Sequence, residues 1–220
     1  MLRIAALIAV ACTLLGLPSP LMADPSPQPP RPAVASLHRA IEDGQLRRMI
    51  GQMVLVGFVG DSPEDDGYKR VVKQAEAGEI TGVIYLGRNI ASLDAVRLLN
   101  KGLQKYSATP LLIAIDQEGG RIQRLTGEIG FREVPSEAKV AETLSPDEAG
   151  ALYRKLAGDL SGLGFNLNLA PVVDLNVNPA NPIIGKLGRS FSADPQEVEA
   201  YAKAFVEAHR SKGVLTALKH

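Results

Sequence analysis

The stretch LLIAIDQEGGRIQRL, residues 111–125, decides how this chain is read. Leu111 to Ile115 are all apolar and run straight into Asp116, Glu118, Gly119, Gly120, Arg121 and Arg124. A short apolar run that meets glycines predicts a buried strand over 110–116. Two successive glycines let the backbone turn sharply and let a ligand approach closely. A strand ending in acids and arginines either closes a structural ion-pair network or presents a binding site. Of Asp116 and Glu118, one is expected to be structural. Arg121 and Arg124 lie three apart, and which of them faces a site is open.

Outward from this stretch the chain alternates. Short apolar runs predict further strands over 53–59, 81–87 and 213–220, and a strand with its exit over 165–176. A helix is expected over 68–80, and another from Ser92 with Leu93, Val96, Leu99 and Leu103 on one face. After a long loop, SPDE at 145–148 reads as a capping box. The helix it opens has Ala149, Leu152, Leu156, Leu160 and Leu163 inside. DPQE at 194–197 reads as a second box, before a face of Val198, Tyr201, Phe205 and Val206. Strand–helix alternation of this kind means an α/β fold with a parallel sheet. An open doubly wound sheet and a (β/α)8 barrel both fit. The Gly-rich dinucleotide turn is absent after the first strand. Five strands are too few to close an eight-stranded barrel, which takes about 250 residues. In either architecture, function gathers at the C-terminal ends of the strands.

Of the 220 residues, 24 are Lys or Arg and 24 are Asp or Glu, which excludes the basic excess of a nucleic-acid footprint. MLRIAALIAVACTLLGLPSPLMA, residues 1–23, has the grammar of a secretory signal peptide. Its apolar run, Ile4 to Leu17, is shorter than the roughly 20 residues a spanning helix needs. The expectation is an exported protein, periplasmic or secreted, with no stable membrane span once the signal is removed. Cys12, the single cysteine, lies inside the apolar run, which disfavours lipid attachment. Its removal leaves no disulfide, thiol nucleophile or thiolate metal site. A proline-rich linker is expected over 24–36 and the folded part over 37–220.

Read together, the strand ends supply Arg88 and Asn89, Asp116, Gln117 and Glu118, Asp174 and Asn176, and Lys219 and His220. Arg189 joins them from GRSFSADP, residues 188–195. Carboxylates accept hydroxyl hydrogen bonds and cationic groups donate to oxygens, so this set suits a polyhydroxylated ligand. Lys219 also has the character of a Schiff-base nucleophile, set against a lysine simply paired to a carboxylate. His220 could serve as an acid–base group, a metal ligand or a hydrogen-bonding group. A lone terminal histidine is poor evidence for metal. His38 and His209 read as surface or helix-face residues.

In chain order, AIDQEGGRIQRL, GFREVPS, NLNLAPVVDLNVNP, GRSFSADP and LTALKH resemble glycoside hydrolase family 3. The likeness is greatest to its bacterial β-N-acetylglucosaminidase branch, which trims peptidoglycan fragments, and it runs from about Leu46 to His220. It implies a (β/α)8 TIM-type barrel, truncated here after about five strands. It implies that Asp116 holds sugar hydroxyls in the innermost subsite and that Arg124 shapes it. Arg189 would bind the sugar, and Lys219 with His220 would touch the same ring. That demotes the Schiff-base reading. A carbohydrate partner and retaining removal of non-reducing terminal β-N-acetylglucosamine are implied, with no metal or organic cofactor. By the same resemblance the nucleophile and the acid/base loop follow His220. The 220 residues are then expected to carry no catalytic residue and to be inactive alone. A β-glucosidase of the same family, or a non-catalytic sugar-binding fragment, is the alternative.

Overall fold

The computed structural model describes residues 45–220, together with 35, 36, 38 and 39. The expected signal peptide, and the linker as far as residue 34, lie outside the described residues. The chain divides into two units, Met1–Arg39 and Ala40–His220. In the first, the described residues 35, 36, 38 and 39 are helical and exposed, His38 among them. Among the described residues, no helix is long and apolar enough to cross a membrane.

The second unit alternates helix and strand: α1 (Gln45–Gly51), β1 (Leu55–Gly57), α2 (Asp66–Glu76), β2 (Gly82–Tyr85), α3 (Leu93–Tyr106) and β3 (Leu112–Ile115). There follow α4 (Glu137–Thr143), α5 (Pro146–Gly162), β4 (Leu167–Asn168), α6 (Pro195–Arg210) and β5 (Leu215–Thr216). All four strand pairs are parallel, with Val83 opposite Ile113 and Ala114 opposite Leu167. The strands lie in the order β1-β2-β3-β4-β5. A doubly wound sheet reverses its order at a switch point, whereas a barrel adds each strand beside the last. The order observed is the barrel's, and the fold is α/β with a parallel five-stranded sheet.

Local chemistry sets the element ends. Ser92 Oγ accepts the Ala95 N–H at 3.1 Å and opens α3. Ser145 and Glu148 form the expected reciprocal box at the start of α5, with Pro146 in the first turn. Asp194 caps α6 through the Gln196 N–H at 2.9 Å, a single bond where a box with Glu197 is expected. Helix α2 stops at Glu76, short of the expected 80, because Gly78 turns the chain at φ +69. The ladder of β4 is much shorter than 165–176. Pro171 has no N–H to give it, and pairing resumes only at a bridge between Val172 and Lys219. The short helix α4 falls within a stretch expected as loop. Ser136 caps it through the Lys139 N–H.

The core sits between sheet and helices. Val83, Tyr85, Ile113, Ala114 and Ile115 are all fully buried, giving continuous apolar runs where a sheet with one wet face would show alternation. Val96, Leu99 and Leu103 of α3 and Tyr153, Leu156 and Leu160 of α5 bury their stripes against it. Tyr85 stands edge-to-face with Phe58 and with Phe165, at 5.1 Å each, tying the segments after β1 and before β4 to β2.

Candidate functional site

The exits of β3, β4 and β5 converge on one cavity of about 460 Å³. Asp116, Arg124, Arg189, Lys219 and His220 all line it, together with Glu118. Lys219 Nζ lies 2.9 Å from Asp116 Oδ1 and 2.5 Å from Glu118 Oε1. Arg124 Nη2 donates to Asp116 Oδ2 at 3.1 Å. Arg189 grips Glu118 with two bonds, Nε to Oε2 at 2.8 Å and Nη2 to Oε1 at 2.9 Å. This is the planar fork of a bidentate pair, and the Glu118 carboxylate raises the guanidinium further above its ordinary range. Glu118 is the structural acid of the two, with its side chain 2 % exposed against 17 % for Asp116.

The loop that carries the two acids is held by one amide. Gln117 Nε2 donates to the Leu125 carbonyl at 2.9 Å, while its Oε1 accepts the N–H groups of Arg124 and Leu125. Between them the backbone folds back, with the Glu118 N–H donating to the Ile122 carbonyl. Gly119 sits at φ +110, where a Cβ would meet the Pro135 carbonyl oxygen at 2.3 Å. The expected role of the Gly-Gly step therefore has a second part, close approach of the 134–136 backbone from behind.

His220 is held on both ring nitrogens. Its Nε2 lies 3.1 Å from Arg189 Nη2, which can only donate. Its Nδ1 therefore carries the proton toward Asp174 Oδ2 at 2.6 Å. Ser190 Oγ donates to the Asp174 carbonyl at 2.6 Å and fixes that segment beside the cavity. Three carboxylates (Asp116, Glu118, Asp174) thus face three cations (Arg124, Arg189, Lys219), and the cluster is charge-balanced. Lys219 takes the paired role weighed against a Schiff-base nucleophile.

Other strand-end residues do not join the cavity. Asn89 is buried, and its amide donates to the carbonyls of Phe58 and Gly60, tying the exits of β1 and β2. Arg88 Nε donates to the same Phe58 carbonyl. Arg121 is exposed, so of the arginine pair it is Arg124 that faces the site. Of the two readings of His209, surface or helix face, the helix face holds and the surface does not. It is fully buried, because it follows Phe205 by one helical turn on the face of α6 that packs inward. The Phe205 and His209 rings stack at 4.0 Å.

Sequence reasoning missed three supporting residues. Asn168 on β4 bonds both backbone groups of Gln117, Oδ1 to N at 3.0 Å and Nδ2 to O at 3.1 Å. Asn166 does the same for β3 further down, accepting from the Ile113 N–H and donating to the Leu111 carbonyl. Polar residues at alternate positions of an otherwise apolar run were the available signal. Glu137 is 1 % exposed, and burial pushes its carboxyl well above the ordinary range. Its Oε1 accepts the Val172 N–H at 2.8 Å.

Larger hollows lie elsewhere, two of them along α3. One, of about 610 Å³, runs beside Arg97, Arg132 and Asp159, and the other, of about 590 Å³, lies between α2 and α3. Neither gathers acids and cations from several strand ends, the arrangement that marks a site in a barrel. Among the described residues, no three His, Cys, Asp or Glu side chains are placed to hold a metal ion.

With this geometry in hand, comparison with known proteins is specific. Residues 45–220 match the family model described as the glycosyl hydrolase family 3 N terminal domain. A beta-hexosaminidase A from Pseudoalteromonas piscicida is 33 % identical over 194 residues, covering 79 % of this chain and 32 % of that protein. A beta-hexosaminidase from Idiomarina loihiensis is 34 % identical over 152 residues, covering 67 % and 44 %. Among solved structures, the beta-N-acetylhexosaminidase from Beutenbergia cavernae superposes with a TM-score of 0.69 at 33 % identity, covering 80 % of this chain and 53 % of its own. A family 3 beta-N-acetylglucosaminidase from Paenibacillus gives 0.71 at 34 %, covering 80 % and 32 %. The chain spans about a third to a half of the length of the curated relatives it matches.

Proposed function

This chain belongs to glycosyl hydrolase family 3, and from that membership we propose that it forms the sugar-gripping side of a glycoside hydrolase acting on terminal β-N-acetylglucosamine. The observation that carries the reading is the charge-balanced cavity at the exits of β3, β4 and β5. Each Asp116 oxygen spends one lone pair on a cation, Lys219 or Arg124, and keeps capacity for a sugar hydroxyl. A balanced set of ion pairs favours neither an anionic nor a cationic ligand, and suits a neutral ring rich in hydroxyls. The cavity volume lies within the range of small-molecule sites, about 300–1,000 Å³. Names of the similar proteins, hexosaminidases and an N-acetylglucosaminidase, supply the amino sugar.

The roles follow from the pairing. Asp116 accepts ring hydroxyls, Lys219 and Arg124 hold its carboxylate in place, Arg189 donates from the opposite wall through Nη1, and His220 packs beside it, held by Arg189 and Asp174. Glu118 locks Arg189 and Lys219 into these positions. A retaining mechanism needs a nucleophile and an acid/base group on either side of the bond. Asp116 and Glu118 are each tied to two cations, which commits both carboxylates to holding the cluster together. In this reading the bond-breaking pair comes from a segment other than the five β/α units described, and residues 1–23 direct the protein out of the cytoplasm toward peptidoglycan-derived sugars.

Calorimetric titration of the 220-residue chain with N-acetylglucosamine and with glucose tests the binding role. Saturable binding of the acetamido sugar, weakened at least about tenfold in Asp116→Ala, is the expected result. Preference for glucose would move the reading to a β-glucosidase, and no binding of either sugar would sink it. Hydrolysis of a chromogenic β-N-acetylglucosaminide by these 220 residues alone would overturn the assignment of the chemistry to another segment.

A further inference from the structure

Behind the cavity, residues 134–138 touch three site-bearing segments at once. The Val134 carbonyl accepts the Gly120 N–H at 2.8 Å, reaching the loop of Asp116 and Glu118. The Ala138 N–H donates to the Gly188 carbonyl at 3.0 Å, one residue before Arg189. Between them Glu137 reaches the exit of β4, where its Oε1 takes the Val172 N–H at 2.8 Å. Val172 belongs to the backbone that holds Lys219. The Lys219 N–H donates to the Pro171 carbonyl at 3.2 Å, and its own carbonyl accepts the Val173 N–H at 2.8 Å. Lys219 Nζ in turn sits between Asp116 and Glu118.

Glu137 makes this link with one oxygen only. Its Oε2 is buried and has no hydrogen-bond partner. A carboxyl in such a place is retained for something an apolar side chain cannot do, and here that is to accept a buried backbone N–H. From this geometry we infer that Glu137 is a positioning residue for the cavity: it fixes Val172, and through the backbone paired with it sets where the Lys219 ammonium stands between Asp116 and Glu118. Burial pushes the Glu137 carboxyl well above its ordinary range, against the charged form. The relevance to sugar binding rests on the function proposed above, while the link from Glu137 to Lys219 does not.

The test uses the full chain with Glu137→Gln, Glu137→Leu and Glu137→Asp. Two quantities are read: hydrogen exchange at the Val172 and Lys219 amides, and affinity for N-acetylglucosamine. Glutamine keeps the acceptor at the same reach and should retain both protection and affinity within about twofold. Leucine keeps the bulk and deletes the acceptor. It should raise exchange at Val172 and Lys219 at least tenfold and weaken the sugar at least tenfold, with Val83 and Ile113 still protected. If leucine unfolds the chain, aspartate decides, since it stays acidic but withdraws the carboxyl by one methylene. Unchanged exchange at Lys219 in the folded variants, or equal losses with glutamine and leucine, would overturn the inference. If the wild type binds no sugar, the functional reading fails by itself, and exchange at Lys219 still decides the role of Glu137.

Discussion

Acid should loosen this fold through His209, and the size of the effect follows from what surrounds the ring. His209 Nδ1 lies 2.9 Å from the Phe205 carbonyl, which can only accept, so Nδ1 carries the proton. Nε2 must then accept from Asn168 Nδ2 at 3.2 Å. The Asn168 amide cannot turn round to help a second proton, because Gln117 fixes both its ends. Burial lowers the imidazole from 6.5 to about 4, partly offset by the Phe205 carbonyl. The folded protein therefore keeps His209 neutral where an unfolded chain binds a proton. The stabilisation is complete above pH 6.5 and is lost as pH falls through about 4. The full difference is about 3 kcal/mol, of which about 2 kcal/mol is drawn off between pH 7 and pH 5. Against a total stability of about 5–15 kcal/mol that is readily measured. Urea unfolding of the wild type and of His209→Gln at the two pH values isolates the effect. The wild type should lose about 2 kcal/mol more than the variant, and the His209 ring proton should keep one chemical shift down to pH 5. A ring that titrates near 6.5, or equal losses in both proteins, would refute the reasoning.

Glu137 should act with the opposite sign. Burial raises its carboxyl above 4.5, so its contribution is present below that pH and declines as rising pH ionises the unfolded chain, and Glu137→Gln should flatten this decline in the same titration. Asp116→Ala should weaken N-acetylglucosamine binding by about 1.5–3 kcal/mol, read by calorimetry, with little change in the unfolding midpoint. Arg189→Leu leaves Glu118 buried with only Lys219 beside it, and should cost about 3 kcal/mol of stability by denaturant titration. Gly119→Ala forces a Cβ against the Pro135 oxygen at a positive φ, and should cost more than about 1 kcal/mol while weakening the sugar. Leu99→Ala, remote from the cavity, should cost about 2–5 kcal/mol in stability and leave affinity unchanged.

The alternation of parallel strands and helices was legible because local signals and tertiary packing agree, while those signals left the strand order open between a doubly wound sheet and a barrel. Runs such as 111–115 are apolar throughout, as parallel strands covered on both faces must be, and Ser92 and Ser145 announce the helices that cover them. Asp116, Lys219 and His220 were legible as strand-end residues, whereas Arg124 was separated from Arg121 only by the resemblance to family 3. What was not legible depends on partners far along the chain. Nothing near His209 reveals that Asn168, 41 residues earlier, is its partner. Glu137 follows a capping serine and reads as an ordinary first-turn acid, a position where negative charge is usual and solvated. Only the arrival of Val172 makes it a buried acceptor. The β4 ladder stops within the apolar pattern of 165–176 because Pro171 has no N–H to give, although its carbonyl still accepts the Lys219 N–H.

The Gln117 amide makes length itself a conserved quantity within this loop. Its three bonds reach Arg124 and Leu125 at a fixed separation of seven and eight residues. An added or deleted residue anywhere from 118 to 123 would break all three and swing Asp116 away from Arg124 together. Residues 177–187, by contrast, contain exposed positions such as Val177 and Ile183; the bonds that span them, Ser190 Oγ to the Asp174 carbonyl and the Asn176 N–H to the Ser192 carbonyl, close the segment at its base, and Asn181 Oδ1 reaches only the nearby Ile183 and Ile184 N–H groups. Change by insertion is therefore tolerated unevenly around the cavity. The β3 exit does not accept a change of register, and the segment before Arg189 is where a longer or shorter loop can reshape the rim while the ion-pair cluster persists.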